Sequence, residues 1–154
     1  NRKKYDDALA LIDECYIYPT HLGEGKLPGA QENDFNYYKA YILQQQGRPE
    51  EAHSLFVKAC SGNSQPAAAM YYNDQKPDKI FYQGLAYRKL GEEEKARSRF
   101  NQLITYGEEH LFDRFKMDYF AVSLPDLLIW EDDMDKKNRI RDWEIEQKPN
   151  TSLI

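Results

Sequence analysis

Apolar residues along this chain recur at spacings of three and four, the period of helices that bury one face. From Lys3 to about Tyr16 the apolar positions are Tyr5, Ala8, Leu9, Leu11, Ile12 and Cys15, and Pro19, Gly23, Gly25, Pro28 and Gly29 then break the pattern. A second helix is predicted from Asn33 or Asp34, either of which offers a short polar side chain to the free N–H groups of a first turn. It continues through Tyr37, Tyr38, Ala40, Tyr41 and Leu43 to Gly47, the expected left-handed turn residue. A third helix opens at Arg48-Pro49-Glu50-Glu51, with proline tolerated in the first turn and carboxylates favoured by the helix dipole, and carries Ala52, Leu55, Phe56 and Ala59 inward. After Gly62 the stretch 61–76 reads as a long loop or short extra helix. A further hairpin is then predicted from Asp78 to Leu90 and from Glu92 to about Tyr106, turning at Gly91.

These helices repeat. Ala8, Ala52 and Ala96 lie 44 residues apart, as do Ile12, Phe56 and Phe100; Gly47 matches Gly91, Ala40 matches Gly84, and Leu43 matches Tyr87. A fixed period of this length marks units that cannot bury their apolar faces alone and stack on their neighbours. The expected fold is therefore all-α, a right-handed solenoid of antiparallel helix hairpins. Its units run over about 1–32, 33–76 and 77–107, with a partial unit over 108–141. That partial unit is predicted from Glu108 to Tyr119, at Leu127 to Trp130, and in a solvated final helix from Glu131 to Arg141; residues 142–154 read as an irregular tail.

Composition narrows the function more than the fold. At 154 residues the chain is long enough for one stable core without metals or disulfides. Its net charge is −5 and its Lys and Arg are mixed among carboxylates, which argues against a nucleic-acid platform. Cys15 and Cys60 sit at apolar helix positions outside any paired framework and are expected to be reduced, buried thiols of a cytoplasmic protein. No apolar run approaches a membrane span. The start at Asn1, with a helix pattern almost at once, is read as a fragment of a longer polypeptide.

Within each hairpin, the small residue Ala40 or Gly84 precedes Gly47 or Gly91 by seven positions, Ala52 or Ala96 follows five later, and Phe56 or Phe100 four beyond that. This arrangement resembles the tetratricopeptide repeat, with about ten extra residues per unit placed between hairpins. The strings 22–34, 70–84 and 118–126 further resemble the C-terminal repeat region of large uncharacterised bacterial proteins in which a sugar-enzyme-like β-sandwich region precedes the helical repeats. The resemblance, which spans about residues 1–141, implies a cytoplasmic scaffold region of a carbohydrate-associated multidomain protein, with no reaction assigned to the repeats. The repeat and the Tyr-rich first helices point to a non-catalytic module that binds the upstream domain of its own polypeptide or another protein.

In tetratricopeptide solenoids the first helices of the hairpins line the concave side, and the 44-residue shift pairs Asp34 with Asp78, Tyr37 with Phe81, Tyr38 with Tyr82, Tyr41 with Leu85 and Gln44 with Arg88. The candidate groove is Asp34, Tyr37, Tyr38, Tyr41, Gln44, Asp78, Phe81, Tyr82 and Arg88, with rings that suit peptide or sugar contact. The bland alternative is that about half of these rings fill the hairpin core. A second candidate is the docking string Tyr71, Tyr72, Asn73 and Asp74 between hairpins. The competing function is a carbohydrate-active or carbohydrate-binding site using Asp34, Asp78 or Glu32. Other chemistry finds no motif. Gly23-Glu-Gly-Lys26 lacks the strand and the Ser or Thr of a phosphate loop. His21, His53 and His110 lack metal-ligand spacing. Glu131, Asp132, Asp133 and Asp135 lack the glycine and spaced oxygens of a calcium loop. No cofactor and no metal are expected.

Overall fold

A computed structural model describes residues 4–18, 21, 23, 25–26, 29–67, 74–114 and 131–147, with side chains of the last segment described over 135–143. Among the described residues the regular elements are six α-helices, α1 (Tyr5–Cys15), α2 (Asn33–Gln45), α3 (Pro49–Ala59), α4 (Pro77–Lys89), α5 (Glu93–Glu109) and α6 (Glu131–Gln147), and no strand. The chain is all-α. None of these helices is long and apolar enough to cross a membrane.

The chain divides into two compact units, 1–109 and 110–154. In the first, α2 packs on α3 and α4 on α5 as two hairpins, α4 also lies against α2 and α3, and α1 packs on α2. The two hairpin turns are built alike. After α2 the N–H of Gly47 donates to Gln44 O at 3.2 Å and that of Arg48 to Leu43 O at 3.0 Å; after α4, Gly91 donates to Arg88 O at 3.1 Å and Glu92 to Tyr87 O at 2.9 Å. Each turn needs a residue with φ near +78°, and Gly47 (77°) and Gly91 (79°) supply it without the penalty a Cβ brings.

The core consists of Ala40, Leu43, Ala52, Phe56, Ala59 and Ala86, with Leu9, Tyr37, Leu55, Cys60 and Leu90 packed around it. Small residues at the helix crossings let backbones approach. Gly84 is the extreme case, since a Cβ there would lie 2.5 Å from Phe100 Cε1. Phe100 thus rests directly on the α4 backbone.

Several expectations are corrected. Asn33 and Asp34 do not cap α2: Glu32 holds the cap position and no side chain bonds the free N–H groups there. Cys15 is exposed, because α1 buries none of its residues fully and turns Leu11, 63% exposed, to solvent together with the thiol. The expected end near Tyr106 is overrun: α5 continues through Gly107, which keeps a helical conformation, to Glu109 before a turn at 110–112, where a helix from Glu108 onward is expected. In the second unit α6 begins at Glu131 as expected but continues past Arg141 to Gln147, over the first part of the expected irregular tail. The expected helical segments over 115–119 and 127–130 lie outside the described residues.

Candidate functional site

The seam between α2 and α4 carries most of the candidate groove. Residues 44 apart in sequence face one another across it: Tyr38 and Tyr82 share a hydrogen bond of 2.9 Å between their hydroxyls, and their ring centres lie 5.4 Å apart, edge to face. Tyr37 contacts Tyr38, Phe56 and Tyr82 at 5.9, 5.7 and 5.8 Å. Phe81 contacts Tyr82 at 5.7 Å and Phe100 at 5.9 Å. The rings form an unbroken chain from Phe56 to Phe100, in the edge-on and tilted geometries that aromatic quadrupoles favour.

The chain has an inner and an outer part. Tyr37 packs against the core and is half-buried, as is Tyr82. Tyr38, Tyr41 and Phe81 are 48%, 41% and 44% exposed, so three large rings present themselves to solvent on adjacent helices. Their surroundings act on the phenols. The hydrogen bond from Tyr38, ahead of burial and the carboxylates of Asp34 and Asp78, pushes the Tyr82 hydroxyl up to about 12. Burial chiefly raises Tyr37.

Basic side chains edge the rings. Lys89 Nζ lies 5.1 Å from the Tyr41 ring centre and 3.4 Å from Gln44 Oε1. The Arg88 guanidinium sits 5.3 Å from the Phe100 ring centre and 3.7 Å from Glu93. Both contacts have cation–π geometry. At the other end of the seam the Lys79 ammonium bridges Asp34 at 2.6 Å and Asp78 at 3.4 Å. Sequence reasoning places both carboxylates in the groove but misses Lys79, which pairs with both. Glu32 is paired with Lys26.

A pocket of about 400 Å³ lies elsewhere, lined by Leu9, Asp13, Lys39, Leu43, Arg48, Glu51, Ser54 and Leu55. None of the nine candidate groove residues and none of the three candidate carboxylates lines it. Among the described residues no group of three or more His, Cys, Asp or Glu is arranged to hold a metal ion.

Of the second candidate set, Tyr71, Tyr72 and Asn73 lie outside the described residues. Asp74 is placed: its carbonyl accepts a 2.5 Å hydrogen bond from Gln31 Nε2. Gln31 Oε1 in turn accepts from Gln75 Nε2 and from the N–H of Lys76, both at 3.2 Å. Further amides fasten the connection after α3. Asn33 Nδ2, buried, donates to Ala59 O at 2.9 Å and Ser61 O at 2.7 Å. Gln83 Nε2 donates to Ser61 O and Asn63 O, both at 3.0 Å, while its oxygen accepts from Arg99 Nε at 3.0 Å. These amides take up the last carbonyl of α3, Ala59 O, which has no intrahelical partner, and the carbonyls of Ser61 and Asn63 in the connection after it. The sequence signal was present in Gln31 and Gln75, polar residues spaced by the repeat itself, and was passed over.

No protein-family model matches the chain, and no solved structure matches it.

Proposed function

We propose that this chain is a non-catalytic, tetratricopeptide-like right-handed solenoid that binds protein through the α2–α4 aromatic face. Its partner is a neighbouring region of the same polypeptide or a second protein chain. The solenoid reading is supported by residues 44 apart meeting side by side, Tyr38 with Tyr82 and Gln31 with Gln75, and by two hairpins closed by the same glycine turn.

The single observation that carries the binding function is the row of Tyr38, Tyr41 and Phe81, each more than two-fifths exposed. A row of exposed large rings on neighbouring helices is costly to leave in water and is characteristic of interaction surfaces. Ring-to-ring contacts hold Tyr38 and Phe81, the phenol hydrogen bond also holds Tyr38, and Lys89 lies over Tyr41, so little side-chain freedom remains to be lost on binding. The Lys79 bridge, which ties both Asp34 and Asp78 to one ammonium, weighs against the carbohydrate-active alternative.

The test is sedimentation of the chain alone for self-association, and calorimetric titration with any polypeptide that its gene encodes outside residues 1–154. Wild type and Tyr38→Ala/Phe81→Ala are compared. Loss of two central rings at an interface costs about 2 kcal/mol or more. Binding or self-association is expected to weaken at least about thirtyfold with helicity unchanged. Association of unaltered strength in the double variant, or no association with either partner, refutes the reading.

A further inference from the structure

The pocket between α1, α2 and α3 has an apolar floor of Leu9, Leu43 and Leu55 and a rim of two ion pairs. On one side Lys39 pairs with Asp13. On the other Arg48 holds Glu51 with two parallel hydrogen bonds of 2.7 Å from Nε and Nη2. Its volume falls in the usual range for small-ligand sites.

The repeat shows what this space lacks. Shifting the floor and rim by 44 residues gives Leu43→Tyr87, Leu55→Arg99, Arg48→Glu92, Glu51→Lys95 and Ser54→Ser98 as corresponding positions. There the Tyr87 ring is flanked by Lys95 Nζ and by the Arg99 guanidinium, each 5.5 Å from the ring centre. The ion pair across the turn recurs with its signs exchanged, as Lys95 with Glu92. The second hairpin thus fills the space with its own aromatic ring under two cations. In the first hairpin leucines stand where the ring and its covering guanidinium would be, and the rim cations come from other positions: Lys39, which also lies 5.7 Å from the Tyr16 ring centre, and Arg48, where the second hairpin has Gln83 and Glu92.

We propose that this pocket binds a phenyl or phenol ring, lying on Leu9, Leu43 and Leu55 beside Lys39 and Arg48, much as Tyr87 lies beside Lys95 and Arg99. The ring comes either from a protein side chain or from a free small molecule. This site is separate from the α2–α4 aromatic face and stands whether or not that face binds protein.

The experiment follows backbone amide resonances of the ¹⁵N-labelled chain during titration with N-acetyl-tyrosinamide, N-acetyl-phenylalaninamide, N-acetyl-leucinamide and the peptide Gly-Gly-Tyr-Gly-Gly. The aromatic amides are expected to give saturable ring-current shifts at Leu9, Lys39 and Ser54, with a Kd on the order of 1 mM for ligands of this size. The leucine amide is expected to bind at least about tenfold more weakly, having no ring for the cations to flank. Affinity at least about tenfold tighter for the peptide than for the tyrosine amide assigns a protein side chain as the source; equal affinities assign a free ring.

Two variants block the pocket. Ser54→Tyr places a ring over it from an exposed position, and Leu43→Tyr/Leu55→Arg installs the second hairpin's residues. Ser54→Tyr keeps the test valid should the buried double substitution fail to fold. Blocking is expected to weaken aromatic binding at least about tenfold with the remaining resonances unmoved. Absence of saturable shifts, equal response to the leucine amide, or undiminished binding in Ser54→Tyr overturns the proposal.

Discussion

Replacing Gly84 by alanine sets two effects of opposite sign against each other within α4. In a helix interior the change from glycine to alanine is worth about 1 kcal/mol of stabilisation, because alanine gives up less backbone freedom on folding. The new methyl, however, would lie 2.5, 2.8 and 3.0 Å from three carbons of the Phe100 ring. That is about 1 Å inside the ordinary 3.5–4.0 Å contact. The ring is hemmed by Phe81 at 5.9 Å and by the Arg88 guanidinium at 5.3 Å, so it must shift toward solvent or part the two helices. Overpacking of this kind costs about 1–3 kcal/mol, leaving Gly84→Ala destabilised by roughly 0–2 kcal/mol. Gly107→Ala is the matched control. It makes the same substitution in α5, where a Cβ meets nothing within 4 Å, so only the favourable effect of up to about 1 kcal/mol remains. Urea unfolding followed by circular dichroism should separate the two variants by about 1–3 kcal/mol, with wild type between them. Adding Phe100→Leu to Gly84→Ala should recover part of the loss, giving a coupling of at least about 0.5 kcal/mol. Equal stabilisation by both alanines would refute the argument that Phe100 rests on the α4 backbone.

Asn33→Ala removes both hydrogen bonds to Ala59 O and Ser61 O and should cost about 1–3 kcal/mol by urea unfolding. Asn33→Asp should cost more at neutral pH, since it sets a carboxylate against two carbonyl oxygens. Tyr82 holds its proton more tightly folded than unfolded, so the stability it contributes is complete below about pH 10 and lost as pH rises through about 12. Tyr38→Phe should move Tyr82 back toward 10 and flatten that alkaline dependence, read by tyrosinate absorbance and by stability across the same window. A disulfide thiol reagent at pH 8 should modify exposed Cys15 at least about tenfold faster than Cys60, whose thiol burial pushes up to about 11. Equal rates would show that Cys60 is more open than its packing against the core implies.

The helices of the hairpins were legible because three independent signals agreed: the 3.6-residue apolar period, glycine at each turn and the 44-residue recurrence. Gly47, Gly91 and Pro77 mark boundaries that the structure reproduces. Gly107 misled, because glycine inside a helix looks the same in sequence as glycine that ends one; only the φ angle separates them. Cys15 and Leu11 misled because a helical period shows which face is apolar and not whether a neighbour covers it. At the candidate groove the sequence pointed to rings that the structure brings together across α2 and α4, but not to their division into inner and outer ones. Tyr37 and Tyr38 are adjacent and of one type, and their burial depends on whether the helix turns them toward Phe56 or toward solvent. Gln31 and Gln75 recur at the repeat spacing, but Lys79 and Gln83 escaped notice because no such recurrence marks them and their bonding partners Asp34, Ser61, Asn63 and Arg99 lie on other elements.

Helix α1 contributes Leu9 and Asp13 to the pocket wall while resting on α2 with no fully buried residue of its own. The site therefore has one wall held without a fully buried residue, by side-chain bonds such as Asp13 with Lys39 and Asp6 with Gln46, and its existence is conditional on that wall being in place. Each time α1 lifts away, as marginally held helices do without the rest of a domain unfolding, the pocket ceases to exist and its contents are released. An occupant that requires the closed wall holds it shut by mass action, at one hundred times its Kd by about 2.7 kcal/mol. Amide hydrogens of α1 would then exchange with solvent at a rate set by ligand concentration, while those of α4 and α5 would not respond. The least secure helix of the first unit thus doubles as a gauge of what the pocket holds.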